Sequence, residues 1–204
     1  MYGALHEWVA PFAALLLIGA AIKLMDDHLD AEYDILRGER TLAARFGRAL
    51  LPYGLAVGLL AAAIDPRLAC ALFFASYAVG MFHQLRERLP TRLPAWVETL
   101  AAVALAGLTA GWQTALWAIA VAAVIDWTDD LSDAARDRLT GQRNLAIRIG
   151  VVETTLLVLL ALCAAVVLDA KDTALAFVAL AVLTVLSEVT TVRLWDADEG
   201  GDSR

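Results

Sequence analysis

The chain has 204 residues, 60% of them apolar and 19% charged, with mean hydropathy +0.66 and a formal charge of −7. A soluble domain is about 45–50% apolar and about 25% charged. The excess excludes an ordinary soluble core and points to an integral membrane protein. An electrostatic nucleic-acid binder needs a basic face, which this chain lacks.

Seven apolar stretches read as membrane-spanning helices: 8–25, 49–64, 68–82, 93–109, 112–125, 151–168 and 173–192. Several are shorter than the ~20 residues a crossing prefers, so their ends should extend into polar segments. The first lacks the basic start and small-residue cleavage pattern of a secretory signal. The expected organisation is one all-α transmembrane bundle over 1–194, with repeat halves at 8–92 and 93–194. An acidic, Gly-containing tail at 195–204 is expected to be disordered. Cys70 and Cys163 both lie inside apolar runs, with neither disulfide nor metal spacing.

Seven crossings put alternate connections on opposite sides. One side receives 23–48, 86–92, 136–148 and the tail; the other receives 1–7, 65–67, 110–111 and 169–172. Of the 16 Lys and Arg, only Arg67 and Lys171 fall on the second side. Basic loops stay cytoplasmic, so the first side is the cytoplasm and the N-terminus is outside. Trp8, Trp96, Trp112, Trp127 and Trp195 lie near span ends, where such rings settle at the headgroups.

An internal repeat stands out. Residues 26–50 laid over 129–153 give DDHLDAEYDILRGERTLAARFGRAL against DDLSDAARDRLTGQRNLAIRIGVVE, identical at 12 of 25 positions. Four Asp, two Gly and two Arg are among the shared residues. Four spans separate the copies. An even number preserves direction, so the halves are parallel repeats and both copies face one compartment.

The first cluster is Asp26, Asp27, Asp30 and Asp34; the second is Asp129, Asp130, Asp133 and Asp137, preceded by Asp126. Helical positions three and four apart are neighbours, so each cluster occupies one broad face. Like charges repel there, and acids at a span end are costly to desolvate. Hard divalent cations compensate such clusters. Mg²⁺ takes a few carboxylates and completes its shell with water and phosphate oxygens. Two facing clusters could hold Mg²⁺ with a diphosphate between them. Arg40, Arg45, Arg143 and Arg148 are kept by the repeat, and guanidinium forks suit phosphate. Arg37 follows the first cluster only. The paired glycines Gly38/Gly141 and Gly47/Gly150 suit helix breaks or caps. His28 has Leu131 as its repeat counterpart, which argues against a ligand role.

These residues resemble the UbiA superfamily of intramembrane prenyltransferases, which carries NDxxDxxxD in its first half and DxxDxxxD in its second. The matching segments here are DDHLDAEYD and DDLSDAARD, continued by DILRGERTLAARFG and DRLTGQRNLAIRIG. Asp26 stands where that family has Asn, and Asp126 and Trp127 occupy the region where a basic residue often precedes the second motif. Seven spans fit a version of its nine-span bundle without the first and last helices. The resemblance implies Mg²⁺-dependent transfer of a prenyl group from a prenyl diphosphate to a lipophilic, aromatic or quinone-precursor acceptor. It implies Asp30, Asp34, Asp133 and Asp137 as catalytic residues, with all eight aspartates as metal ligands and the four repeated arginines on the diphosphate. Tyr33, Tyr77, His83, Glu98 and Glu188 are polar positions open to an acceptor.

Other readings stay open. A class I isoprenoid synthase uses similar Asp-rich pairs in a soluble bundle. A CDP-alcohol phosphotransferase has spaced aspartates, although its DGxxAR pattern is not matched. A non-catalytic membrane protein of the same fold could bind isoprenoid diphosphate or lipid without turnover.

Overall fold

A computed structural model describes residues 2–29, 45–85, 87–141 and 144–199. These residues are almost entirely helical; the single β-type pairing among them is one antiparallel bridge, Arg88 with Pro94. In chain order the helices are α1 (Tyr2–Leu29), α2 (Leu50–Ile64), α3 (Pro66–Gly80) and α4 (Ala95–Ala110). They continue as α5 (Trp112–Thr140), α6 (Leu145–Ile149), α7 (Val151–Leu168) and α8 (Ala170–Glu199). The last helix runs through the first half of the tail expected to be disordered, and 200–204 lie outside the described residues.

Among the described residues, four segments are long and apolar enough to cross a bilayer: Glu7–Leu29, Gly47–Ile64, Val151–Leu168 and Ala170–Val192. The other three expected spans have a different form. α3 and α4 are apolar but have 15 and 16 residues, about 22–24 Å at 1.5 Å per residue, against a hydrocarbon core of about 30 Å. The stretch 112–125 is the first half of the 29-residue α5, whose second half carries the acidic motif.

The chain divides into two compact units, Met1–Asp65 with Ala174–Arg204, and Pro66–Thr173. These bounds do not follow the repeat halves. In the first unit α1 packs along α2. Ala14, Leu15, Ile18 and Ala21 are buried on α1, as are Leu50, Gly54 and Ala61 on α2. Gly54 and Gly58 are four apart and both face Ala21. Small residues at this spacing let helices approach closely, the usual basis of packing in lipid, where hydrophobic drive is weak. α8 meets α1 where Leu183 lies over Gly19.

In the second unit α5 is the central helix, packed against α3, α4, α6 and α7. Its apolar half is buried: Ala115, Trp117, Ala118, Val121, Ala122, Ala123 and Val124 are all below 9% exposure. Much of this half of α5 therefore meets protein, while Trp112 and Leu116 on it stay 58% and 51% exposed. α7, by contrast, leaves Val152, Leu156, Leu160 and Val167 61–85% exposed. Trp8, Trp96 and Trp112 are at least half exposed. Trp127 differs, since its Nε1 is buried with no hydrogen-bond partner among the described residues.

The two repeats share local geometry. Each acidic segment begins near or within the last turns of a long helix, α1 or α5. A glycine with positive φ, Gly47 at 52° or Gly150 at 113°, precedes the next apolar helix. That helix ends at an extended aspartate, Asp65 (φ −143°, ψ 94°) or Asp169 (φ −159°, ψ 96°). Their N–H groups donate to Ala61 O and Ala165 O at 3.0 and 2.9 Å, and a further helix starts at once.

Candidate functional site

The first acidic segment opens on α1. Asp26 is exposed, and Asp27 is half-buried and paired with Lys23 at 3.3 Å. His28 follows, its Nδ1 buried with no hydrogen-bond partner among the described residues. Asp30, Asp34, Arg37, Gly38 and Arg40 lie outside the described residues, and so do Tyr33 and Arg143. Arg45 begins the segment that leads into α2.

The second segment is helical throughout, because α5 continues to Thr140. At about 100° per residue, Asp126, Asp129, Asp130, Asp133 and Asp137 share an arc of about 100°. Exposure differs among these residues. Asp129 is exposed, Asp133 has a side chain 36% exposed, and Asp137 is only 6% exposed. Asp133 also has Arg136 at 3.5 Å, one turn away. Asp126 extends the face by a turn toward the apolar half. Spacing alone shows it, as it lies three, four and seven residues before Asp129, Asp130 and Asp133.

The loop after α5 folds back on the motif. Gly141 ends the helix in the left-handed conformation (φ 75°), which favours glycine, and donates to Asp137 O at 2.8 Å. Asn144, 5% exposed, then binds three groups. Its Nδ2 donates to Asp130 O at 2.6 Å and to Asp137 Oδ2 at 2.9 Å, and its Oδ1 accepts from Ile147 N at 3.1 Å. Leu145 N donates to Asp130 Oδ2 at 2.9 Å. Two motif carboxylates thus accept bonds from the loop. Arg148 is exposed in the last turn of α6. The signal for this lock was Asn before LAIRI, since Asn is a favoured N-cap; its reach to Asp130 and Asp137 had no sequence signal.

Among the described residues, no three His, Cys, Asp or Glu side chains converge around a point that a metal ion could occupy. The carboxylates of α5 stand along a helix face instead. Of the polar acceptor positions, Glu98 accepts hydrogen bonds from the Tyr77 and Thr91 hydroxyls, which ties α3, α4 and the intervening loop. Glu188 is exposed on α8. The side chain of His83 is not among those described. Cys70 and Cys163 are free thiols.

A second polar cluster, which sequence reading missed, lies at the opposite end of α5. Asp172 is 2% exposed and sits 3.6 Å from Arg67 and 3.4 Å from Lys171. Arg67 also donates to Thr114 Oγ1 at 3.1 Å. Trp117 Nε1 donates to Thr173 Oγ1 at 2.9 Å, and Gln113 Nε2 to Leu168 O at 3.0 Å. The starts of α3, α5 and α8 are therefore pinned together. From Thr114 to Asp130 is 16 residues, about 24 Å along the helix.

Comparison of the chain with family models, with curated proteins and with solved structures returned no match in any of the three.

Proposed function

We propose that this is a UbiA-type intramembrane prenyltransferase of about seven spans, built from two parallel repeats. It would move a prenyl group from a prenyl diphosphate to a lipophilic acceptor, with its acidic segments on the cytoplasmic face of the cell membrane. The observation that carries this reading is the duplicated acidic segment. Twelve of 25 residues recur, four aspartates among them, and the flanking helices, positive-φ glycines and extended aspartates recur with them. Charged loops kept only for solvation need no such register.

The donor set suits Mg²⁺, which prefers carboxylate, water and phosphate oxygens. Each ion would be held by motif carboxylates, oxygen donors of the kind Mg²⁺ favours. Asp26, Asp27, Asp30 and Asp34 would hold it from one motif, and Asp129, Asp130, Asp133 and Asp137 from the other. Bound there, Mg²⁺ supplies Lewis-acid neutralisation of the charge that grows on the leaving diphosphate, worth on the order of several kcal/mol. Arg40, Arg45, Arg143 and Arg148 would hold the diphosphate oxygens through guanidinium forks. Preorganised donors of this kind need no reorientation as the allylic C–O bond breaks. The apolar helices would bury the isoprenoid tail and keep water from the allylic carbon. The electron pair of that bond leaves with the diphosphate, the acceptor supplies the pair for the new bond, and its displaced proton is released.

A product assay with mixed prenyl diphosphates and quinone precursors, with and without Mg²⁺, tests the proposal. Mg²⁺-dependent prenylated product is expected. Mg²⁺-dependent binding of prenyl diphosphate without product would favour the non-catalytic member of the same fold.

A further inference from the structure

We infer that Asn144 is a positioning residue for the second acidic motif, an inference that rests on the transferase reading of that motif. Asn carries two side-chain N–H donors and a carbonyl acceptor. All three are used: the donors on Asp130 O and Asp137 Oδ2, the acceptor on Ile147 N. The residue is 5% exposed and its partner Asp137 is 6% exposed, so little water competes for these bonds. Leu145, next in the chain, donates its N–H to Asp130 Oδ2 at 2.9 Å. One side chain and its neighbour's amide thus fix carboxylates that lie two helical turns apart. Arg148, whose N–H donates to Asn144 O at 3.2 Å, is set one turn further on. Asn144 couples the motif to the arginine that follows it.

The chemistry at this position is restrictive. Ser or Thr can cap Ile147 but has one donor, so it cannot also serve both aspartate partners. Asp can cap but has no donor when ionised, and it would place a third carboxylate against Asp137. The repeat puts Thr41 opposite Asn144, so the three-way bridge is a property of the second motif's side chain and not of the shared pattern.

The test uses the full chain in lipid nanodiscs, with Asn144→Ser as a variant that keeps the cap and loses the bridge. Asn144→Thr is a second variant should the first fail to fold. Two readouts are taken: calorimetric titration of inorganic pyrophosphate with Mg²⁺, and amide hydrogen exchange over 141–149. Loss of a bond to a buried carboxylate should weaken Mg²⁺-dependent pyrophosphate binding about tenfold. It should also speed exchange at Leu145 about tenfold while Ile147 stays protected. A capping residue with no positioning role would leave both readouts unchanged, and that result overturns the inference. Weaker binding with Leu145 still protected, or unchanged binding with Leu145 exchanging fast, overturns it equally. If the unsubstituted chain binds no pyrophosphate, the transferase reading fails instead, and exchange at Leu145 alone decides whether Asn144 holds the motif.

Discussion

Arg67 and Asp172 face each other at 3.6 Å, one half-exposed at the start of α3 and the other 2% exposed in the first turn of α8. Lys171 approaches the same carboxylate at 3.4 Å. These are the only two basic residues that the charge pattern assigns to the non-cytoplasmic side, and both approach the same aspartate. Removing Arg67 leaves a buried carboxylate with one cation. Breaking a buried pair costs about 3–5 kcal/mol, and the exposure of Arg67 reduces this to about 1–3 kcal/mol. Arg67→Ala should therefore lower the unfolding midpoint in detergent. Arg67→Ala with Asp172→Asn should recover part of the loss, because the buried carboxylate is gone and Lys171, with a side chain 41% exposed, can turn to water.

Trp117 tests the same end of the unit through packing. Trp117→Phe removes the N–H that reaches Thr173 and should cost about 1 kcal/mol. Trp117→Ala adds a cavity at a site 1% exposed and should cost about 3–5 kcal/mol. Equal effects of the two substitutions in denaturant titration would show that burial of the ring contributes nothing there.

The motif aspartates should separate into two groups. Asp133→Ala and Asp30→Ala are expected to abolish Mg²⁺-dependent binding of prenyl diphosphate with little change in folding. Asp130→Ala and Asp137→Ala should also destabilise the chain by about 1–3 kcal/mol, since each carboxylate accepts a bond from the loop. Calorimetry beside thermal unfolding checks the split.

Sidedness has a direct test. Single cysteines at positions 34 and 67, in a background without Cys70 and Cys163, should label from the cytoplasmic and the external face respectively. The reverse pattern overturns the charge-based topology.

Composition pointed to a membrane protein, and the apolar runs located the four described helices that are long and apolar enough to cross a bilayer. The repeat was legible because it lies in identities, which need no coordinates. The placement of the second motif on one helix face was legible from the four-residue spacing of Asp129, Asp133 and Asp137. Three things needed the tertiary structure. Hydropathy records how strongly a segment avoids water, but not whether lipid or protein replaces it, so the runs along the chain did not tell 112–125, which forms much of the core of its unit, from the more exposed apolar helices. The bonds from Asn144 and Leu145 to Asp130 and Asp137 bridge 7 to 15 residues, and only the turn at Gly141 brings them together. The convergence of Arg67 and Lys171 on Asp172 joins residues more than a hundred positions apart, a pairing that charge counting along the chain does not contain.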